Sequence, residues 1–405
     1  MHRKKSLLGA SVVFVLSSLL STAAQGQTYK ILHSFGASGD GSLPNAPMVF
    51  DSSGNLYGTT SGGGISSCEP HGCGTVFELS PASGGTWTET LFDGFSGCPG
   101  PESPLGSDRL RNLYGVCGSN TSSVFSVSRG SNGWNLTLIS SLGTPAVGGV
   151  IVDSAGTIYG TTLDGGSYGQ GSVYGVKKVT ATRWATIGLH SFSCSDDGCF
   201  PYAVVTLDSH GDLYGTTYSG ALDGTGSVFE LTPNRGGAGW TEGVLHSFQG
   251  SYRGGPDGGN PSAPVIFDTT GNMYGTTYYG GTYADGTVFK MTPNGNGTWT
   301  ETVLYSFQGG TDGANPNGGL SMDLEGNLYG ETLGGGSGNA GVVFKLTKGS
   351  EGQWAESILH TFLLLSDGGS PAGGLVLDAT GNIYGTTEFG GPNGYFAGVA
   401  FEIIP

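Results

Sequence analysis

Basic residues are scarce in this chain, which has 15 lysines and arginines against 31 aspartates and glutamates in 405 residues. Three of them, Arg3, Lys4 and Lys5, belong to a leader, and without these three the net charge is −19. A surface of that charge repels polyanions, so nucleic acid is not an expected partner. The sequence also lacks a Ser-His-Asp motif, a phosphate-binding loop and a zinc signature. No familiar catalytic chemistry is therefore indicated.

Long hydrophobic runs are absent after the first 27 residues. That leader has a basic start at His2–Lys5, an apolar stretch from Leu7 to Leu20 and small residues around Ala24. The pattern is typical of a secretory signal peptide, because the stretch is shorter than the roughly 20 residues of a membrane-spanning helix. We predict that residues 1–27 are cleaved and that the mature protein is secreted, extracellular, periplasmic or at the cell surface. It should be a monomer without membrane insertion.

Glycine, in contrast, is abundant, with 79 residues. It shows no three-residue period, and the chain is 36% hydrophobic and 11% aromatic, which excludes collagen and a disordered polar tract. Such a composition is typical of an all-β protein with many short strands and many turns.

The sequence repeats an apolar-Tyr-Gly triplet seven times, and the tyrosines are Tyr57, Tyr114, Tyr159, Tyr214, Tyr274, Tyr329 and Tyr384. The pattern of each repeat predicts four strands. An Asp six residues before every tyrosine predicts a tight turn between the first and second strands. Seven repeats of four antiparallel strands predict a seven-bladed β-propeller.

The ends of the chain support a closed ring. The last segment, Gly398–Glu402, matches a third strand, and Tyr29–Phe35 matches a fourth strand. The N-terminal strand would then complete the last blade, whereas an open solenoid would need capping repeats. The predicted domain spans 28–405, with blades at 44–95, 104–142, 145–192, 201–248, 261–307, 316–362 and 371–404 plus 28–35.

Six tryptophans recur at the start of the fourth strands, as Trp87, Trp134, Trp184, Trp240, Trp299 and Trp354. They could form a stripe that binds carbohydrate, or they could pack between blades. A ring of identical aromatic residues favours packing between blades.

Six cysteines in an exported chain predict disulfides. Cys68 and Cys73 have the same spacing as Cys194 and Cys199, and Cys98 and Cys117 remain as the third candidate pair. All six fall in predicted loops on one face of the propeller. A metal site is the alternative, although only His71 lies beside a cysteine.

One motif series resembles a known family. The segment that begins at Val244 contains Val-Leu-His-Ser-Phe, then Asp-Gly and Pro, then Asp-x-x-Gly-Asn-Met-Tyr-Gly-Thr-Thr and Gly-Thr-Val-Phe, and the likeness is clearest over 245–307. This pattern resembles the Gloeobacter/Verrucomicrobium (GloVer) repeat of exported bacterial proteins. The likeness covers nearly all the mature chain and is weakest at 108–142, where Arg111 replaces a turn glycine. The resemblance implies export and the propeller fold, and it brings no assigned activity and no site residues.

The loops that lead into the first strands are the first place to look for a site. Five of them begin with Asp-Gly and end in Pro, at Asp40, Asp197, Asp257, Asp312 and Asp367. Asp-Gly followed by Pro is itself a turn sequence, but five acidic loops on one rim could also bind a ligand or Ca²⁺. No cofactor is required by this interpretation.

Departures from the repeat supply further candidates. Glu331 replaces a threonine and is a weak catalytic candidate, and Tyr252 and Arg253 lie in an enlarged loop. The recurring histidines at positions 33, 190, 246 and 360 are interpreted as fillers of an edge strand. We expect a rigid module that binds a glycan or an extracellular protein on its loop face. The alternative is a glycoside hydrolase or polysaccharide lyase with its site at the channel mouth.

Overall fold

The structure is a computed structural model, and it describes residues 27–64, 68, 72–92, 95–131, 133–236, 239–350 and 352–405. In this part of the chain, seven antiparallel sheets of mostly four strands form a ring. The predicted seven-bladed β-propeller is therefore confirmed. Residues 1–26 of the predicted leader lie outside the described residues.

The first strand of each blade is the innermost. These strands are Val49–Phe50, Gly106–Ser107, Val150–Val152, Thr206–Leu207, Ile266–Phe267, Ser321–Met322 and Val376–Leu377. The second strands carry the tyrosine triplets and are Leu56–Thr60, Leu113–Cys117, Ile158–Thr162, Leu213–Thr217, Met273–Thr277, Leu328–Gly334 and Ile383–Thr387.

The third and fourth strands form the outer half of each blade. The third strands are Thr75–Pro81, Ser123–Gly130, Ser172–Lys178, Ser227–Pro233, Thr287–Pro293, Val342–Lys348 and Val399–Ile404. The fourth strands are Trp87–Phe92, Gly133–Ser141, Trp184–Ser191, Trp240–Ser247, Trp299–Ser306, Trp354–Thr361 and, from the start of the described chain, Thr28–Ser34.

Short strands tie together the loop before the first strand and the loop after the second. They are Gly41–Ser42 with Gly62–Gly63, Gly258–Gly259 with Tyr279–Gly280, and Ala314–Pro316 with the extended second strand of blade 6. Among the residues that the structure describes, 3-10 turns lie at Ser83–Gly85, Phe95–Gly97 and Gly310–Asp312. The two kinds of loop therefore share one face, which we call the loop face.

The glycine of each triplet makes room for an aromatic ring. A Cβ on Gly275 would lie 2.6 Å from Cζ of Phe289, which sits opposite it on the third strand. The same Gly and Phe pairing recurs in six blades, and Tyr174 replaces the phenylalanine in blade 3. The triplet glycine therefore marks a place where the blade core has no room for a Cβ.

The aspartate before each triplet forms the turn that was predicted. In blade 5, Asp268 Oδ1 accepts hydrogen bonds from the backbone N–H groups of Thr270 and Asn272, both at 2.9 Å. Asp268 Oδ2 accepts from the hydroxyl of Tyr274 at 3.1 Å. Burial alone would raise the pKa of Asp268, but the hydrogen bonds from Asn272 and Thr270 outweigh it and lower the pKa to about 2. The aspartate is thus a structural residue.

The tryptophans pack between blades, as the ring of identical residues predicted. Each of the six lies edge-on to the triplet tyrosine of the preceding blade, and Tyr214 and Trp299 have ring centroids 6.4 Å apart. The threonine after the triplet adds a polar link, since Thr216 Oγ1 donates to the carbonyl of Ala263 in the next blade at 3.1 Å.

The ring closes through the N-terminal strand. Thr28–Ser34 pairs antiparallel with Val399–Ile404, and the next residue, Phe35, packs on Phe77 of blade 1 with ring centroids 4.9 Å apart. This arrangement confirms that the first segment completes the last blade.

Three disulfides are present, Cys68–Cys73, Cys98–Cys117 and Cys194–Cys199, and they confirm the predicted pairs. No cysteine is free. Within the described ranges, no helix is long and apolar enough to span a membrane.

Candidate ligand site at the channel mouth

A cavity of about 240 Å³ lies on the axis of the ring. All seven blades contribute to its wall, through the segments that lead into their innermost strands. These segments start on the loop face, so the cavity is the mouth of the central channel.

One position in each blade supplies the side chain that lines the mouth. This position lies three residues before a buried apolar residue at or just before the first strand, as Tyr202 lies before Val205. Its occupants in blades 1 to 7 are Asn45, Glu102, Val147, Tyr202, Ser262, Asn317 and Ala372. Prolines and glycines such as Pro47, Pro104, Gly319 and Gly373 form much of the remaining wall. The mouth therefore combines a rigid, nearly uniform wall with side chains that differ strongly between blades.

Two carboxyl groups interact in this region, Glu102 in the wall of the cavity and Glu388 in the loop after the second strand of blade 7. Burial raises the pKa of Glu102. Burial also raises the pKa of Glu388, and the charge of Glu102 raises it further. Burial and the charge of Glu102 therefore make Glu388 bind a proton more readily than an isolated glutamate would.

Four tyrosines form an aromatic patch beside the mouth, which we call the tyrosine group: Tyr202, Tyr218, Tyr278 and Tyr279. The rings of Tyr202 and Tyr218 have centroids 5.1 Å apart, and those of Tyr278 and Tyr279 are 4.7 Å apart. Burial raises the pKa of Tyr218, and the nearby hydroxyls of the other three raise it further. Tyr202 is 40% exposed and also lines the cavity.

Neighbouring loops hold the tyrosine group in place. The side-chain amide of Asn260 donates to the carbonyl of Tyr218 at 2.8 Å, and that of Asn315 donates to the carbonyl of Tyr278 at 3.0 Å. Tyr218, Tyr278 and Glu388 all directly follow the Thr-Thr pair of their repeat. The same position thus presents a tyrosine in blades 4 and 5 and a carboxylate in blade 7.

The five predicted loop aspartates lie elsewhere. None of them lines the cavity, and each is held at a different junction between blades by the fourth strand that precedes it. The partners are His33 for Asp40, His190 for Asp197, His246 for Asp257, Tyr305 for Asp312 and His360 for Asp367. The histidines therefore position the loops, and the interpretation of them as strand fillers missed this contact.

Glu331, the catalytic candidate, has no exposed surface and lies between blades 6 and 7. Its Oε2 accepts a hydrogen bond from the backbone N–H of Gly374 at 2.9 Å, and its buried Oε1 has no hydrogen-bond partner. Burial raises the pKa of Glu331 to about 8, although the Gly374 N–H lowers it in part. The side chain replaces the threonine that links neighbouring blades elsewhere. Its catalytic role stays a prediction.

Tyr252 and Arg253 project from the enlarged loop between blades 4 and 5. Tyr252 is 65% exposed, and the guanidinium carbon of Arg253 lies 5.2 Å from the centre of its ring. Neither residue lines the channel mouth. Their proposed part in ligand binding also stays a prediction.

The sequence interpretation missed Glu102, Glu388 and the tyrosine group. A motif search selects what repeats, and these residues occupy positions whose identity changes from blade to blade. An alignment of the seven lead-in segments would have shown one position that holds Asn, Glu, Val, Tyr, Ser, Asn and Ala.

The fold and this arrangement of repeats define a class, the tandem-repeat β-propellers. Within it, the chain belongs to the Gloeobacter/Verrucomicrobia repeat family, whose model matches residues 119–300 and 237–405. The resemblance that residues 245–307 indicated is therefore confirmed. Among curated proteins, none matches this sequence.

Solved structures share the fold at low sequence identity. A protein from Lactobacillus plantarum is 14% identical and aligns over 87% of this chain and 99% of its own, with a TM-score of 0.53. A proposed oxidoreductase (glucose dehydrogenase) from Thermus thermophilus is also 14% identical and covers 94% of this chain and 100% of its own, with a TM-score of 0.40. The first likeness supports the fold alone, and the second carries no argument.

Proposed function

We propose that this protein is a secreted or cell-surface binding module that holds the end of a glycan at the channel mouth. The observation that carries the proposal is the position of the tyrosine group beside a small polar cavity. Glu102 and Asn317 are among the residues that line this cavity. Aromatic rings offer flat apolar surfaces to the C–H faces of sugars, while carboxylates and amides can bond their hydroxyls.

The size of the cavity limits the ligand. At about 240 Å³ it is smaller than the roughly 300–1,000 Å³ of pockets that enclose a drug-sized molecule. A single terminal sugar would therefore enter the mouth, and the next sugars would lie over the tyrosine group. Because all seven blades support the wall, the site is preorganised, which reduces the entropy lost on binding.

An extracellular location, which is part of this proposal, fits such a ligand. The three disulfides suit an oxidising compartment, and the signal-peptide pattern supplies the route of export. In this proposal the mature chain acts as a monomer. Ca²⁺ on the loop aspartates is not needed for binding, because those carboxylates lie away from the mouth.

A glycan array probed with the purified chain from residue 28, followed by calorimetry on the best oligosaccharide, tests the proposal. Tyr202→Ala should lower the affinity at least tenfold, since it removes a ring shared by the cavity and the tyrosine group. Tyr168→Ala is the matched control, because Tyr168 is 64% exposed on another blade. If no glycan binds, or if both variants weaken binding equally, the proposal fails.

The paired carboxyl groups favour a second candidate function, a glycoside hydrolase or polysaccharide lyase at the same mouth. A glutamate with a raised pKa can act as general acid while its ionised neighbour acts as base or nucleophile. Release of reducing ends from a polysaccharide panel would support this function if Glu102→Gln abolishes it. Binding that persists in Glu102→Gln without any turnover by the wild type would leave the binding module as the function.

A further inference from the structure

The junctions between blades carry a second set of polar side chains, on the outer strands. In several blades a β-bulge interrupts the pairing of the third and fourth strands just before the recurring histidine, as it does before His33 and His246. A bulge turns the following side chain to a new direction. The ring of His246 thereby reaches Asp257 in the loop that follows, with Nε2 and Oδ2 2.9 Å apart.

The next blade contributes a glutamate to the same place. It stands two residues after the tryptophan of the fourth strand, as Glu89 in blade 1 and Glu301 in blade 5. Among the described residues, two groups bring their ligand atoms within 4.8 Å of one another: His33, Asp40 and Glu89, and His246, Asp257 and Glu301. The same three residue types thus converge at two equivalent junctions.

Buried oxygen atoms without partners point into both groups. Oε1 of Glu89 and Oε1 of Glu301 are buried and make no hydrogen bond, which is also true of the equivalent Glu242 and Glu356, although only the first two belong to such a group. A buried carboxylate oxygen without a hydrogen bond is costly, and a positive charge close to it would offset that cost. The Asp40 side chain is also 93% buried, since only 7% of it is exposed.

The distances suit a small transition-metal ion. His33 Nε2 lies 3.0 Å from Asp40 Oδ2 and 3.4 Å from Glu89 Oε1. Ligands about 2.0–2.2 Å from a tetrahedral Zn²⁺ are separated by roughly 3.4 Å. Imidazole nitrogen with two carboxylates suits Zn²⁺ and its neighbours, whereas Ca²⁺ prefers six to eight oxygen ligands.

We propose that each of the two groups binds one divalent cation of the Zn²⁺ type, through the histidine Nε2 and the two carboxylates, with water in the fourth position. The ion at His33 would join the N-terminal strand, which closes the ring, to blade 1. The ion at His246 would join blades 4 and 5. Both ions would link neighbouring blades, and neither would lie at the channel mouth.

The chain contains a matched junction without the full set. At His360 and Asp367, the position of the glutamate is taken by Tyr29, whose ring stacks on the histidine with centroids 3.8 Å apart. The histidine and aspartate are present there, but the third ligand is missing. His360→Gln is therefore the control for His246→Gln.

Calorimetric titration of ZnCl₂ into the untagged, chelator-treated mature chain tests the proposal, with Co²⁺ absorption as a second readout. We expect two bound ions per chain, the intense visible bands of tetrahedral Co²⁺, and a higher melting temperature with Zn²⁺ than with chelator. His246→Gln and Glu301→Gln should each leave one ion, and His360→Gln should leave two.

Three results would overturn the proposal: no saturable Zn²⁺ binding to the folded wild type, loss of an ion in His360→Gln, or two ions retained in both His246→Gln and Glu301→Gln. Melting of each variant in chelator shows that it is folded before it is titrated. Two variants at one site keep the test valid if one of them does not fold.

Discussion

At the scale of single residues, the structure depends on small side chains at fixed places. Gly275 faces Phe289 so closely that a methyl group would displace the ring. Gly243, on the fourth strand of the preceding blade, has no atom within 4 Å of the Cβ position and is exposed. The same substitution should therefore have opposite consequences at the two glycines.

We predict that Gly275→Ala lowers the free energy of unfolding by about 1–3 kcal/mol, the usual cost of overpacking a core. Gly243→Ala should leave it unchanged or raise it slightly, since alanine restricts the unfolded chain. Urea denaturation followed by tryptophan fluorescence measures both. Equal losses in the two variants would contradict the packing role of the triplet glycine.

Glu331 predicts a pH dependence of stability. Burial raises its pKa from an ordinary value of 4.5 to about 8 in the folded state. Between pH 4.5 and about 8 the Glu331 carboxyl group binds more protons in the folded state than in the unfolded state. The contribution of Glu331 to stability is therefore most favourable at low pH and becomes less favourable as the pH rises. A single such group changes the free energy of unfolding by about 1.4 kcal/mol per pH unit.

The variant Glu331→Gln should therefore be more stable than the wild type at pH 8 and nearly equal to it at pH 5. Urea denaturation at pH 5, 6, 7 and 8 gives the comparison, and Glu325→Gln is the control because Glu325 is exposed. Parallel pH profiles for wild type and Glu331→Gln would show that the carboxyl group is not held neutral in the fold.

At the scale of strands and loops, the three disulfides differ in the length of chain that they close. Cys98 and Cys117 are 19 residues apart and tie the loop before the first strand of blade 2 to the end of its second strand. Cys68 and Cys73 are only 5 residues apart. Closing a longer loop removes more entropy from the unfolded chain.

Replacing Cys98 and Cys117 together by alanine should therefore lower the free energy of unfolding by about 3 kcal/mol. The double replacement of Cys68 and Cys73 should cost less. Thermal and urea unfolding of the two double variants make the comparison. The opposite order would show that the short bridge supports contacts beyond its own loop.

Sequence alone predicted most of the fold at this scale, for a physical reason. The turn aspartates, the triplet glycines and the interblade tryptophans occupy places where backbone geometry or ring packing admits few residues, so they recur and can be counted. The bulge before His246 leaves no such mark, and its histidine was therefore taken for a filler. The channel mouth was missed because ligand contacts there need not repeat.

At the scale of the whole molecule, the ring depends on the strand Thr28–Ser34. Ile31 lies in the middle of this strand and pairs with Phe401 of the last third strand. Proline at this position would remove a backbone N–H from the sheet, while proline at the first residue of a strand is tolerated.

We predict that Ile31→Pro lowers the melting temperature of the whole domain, because the strand that joins blade 7 to blade 1 no longer pairs fully with Val399–Ile404. Thr28→Pro should have little effect, since Thr28 is exposed at the start of the strand. Differential scanning calorimetry of both variants provides the measurement. An unchanged melting temperature for Ile31→Pro would mean that the remaining blades hold the ring without this strand.

The central claim is that repeated residues build the ring and that non-repeated residues at the channel mouth bind the ligand. The most direct test compares Tyr202→Ala with Trp299→Ala in the same two assays, oligosaccharide affinity by calorimetry and melting temperature. We predict that Tyr202→Ala lowers the affinity at least tenfold and leaves the melting temperature unchanged, whereas Trp299→Ala lowers the melting temperature and still binds. Loss of binding in Trp299→Ala with full binding in Tyr202→Ala would contradict the account.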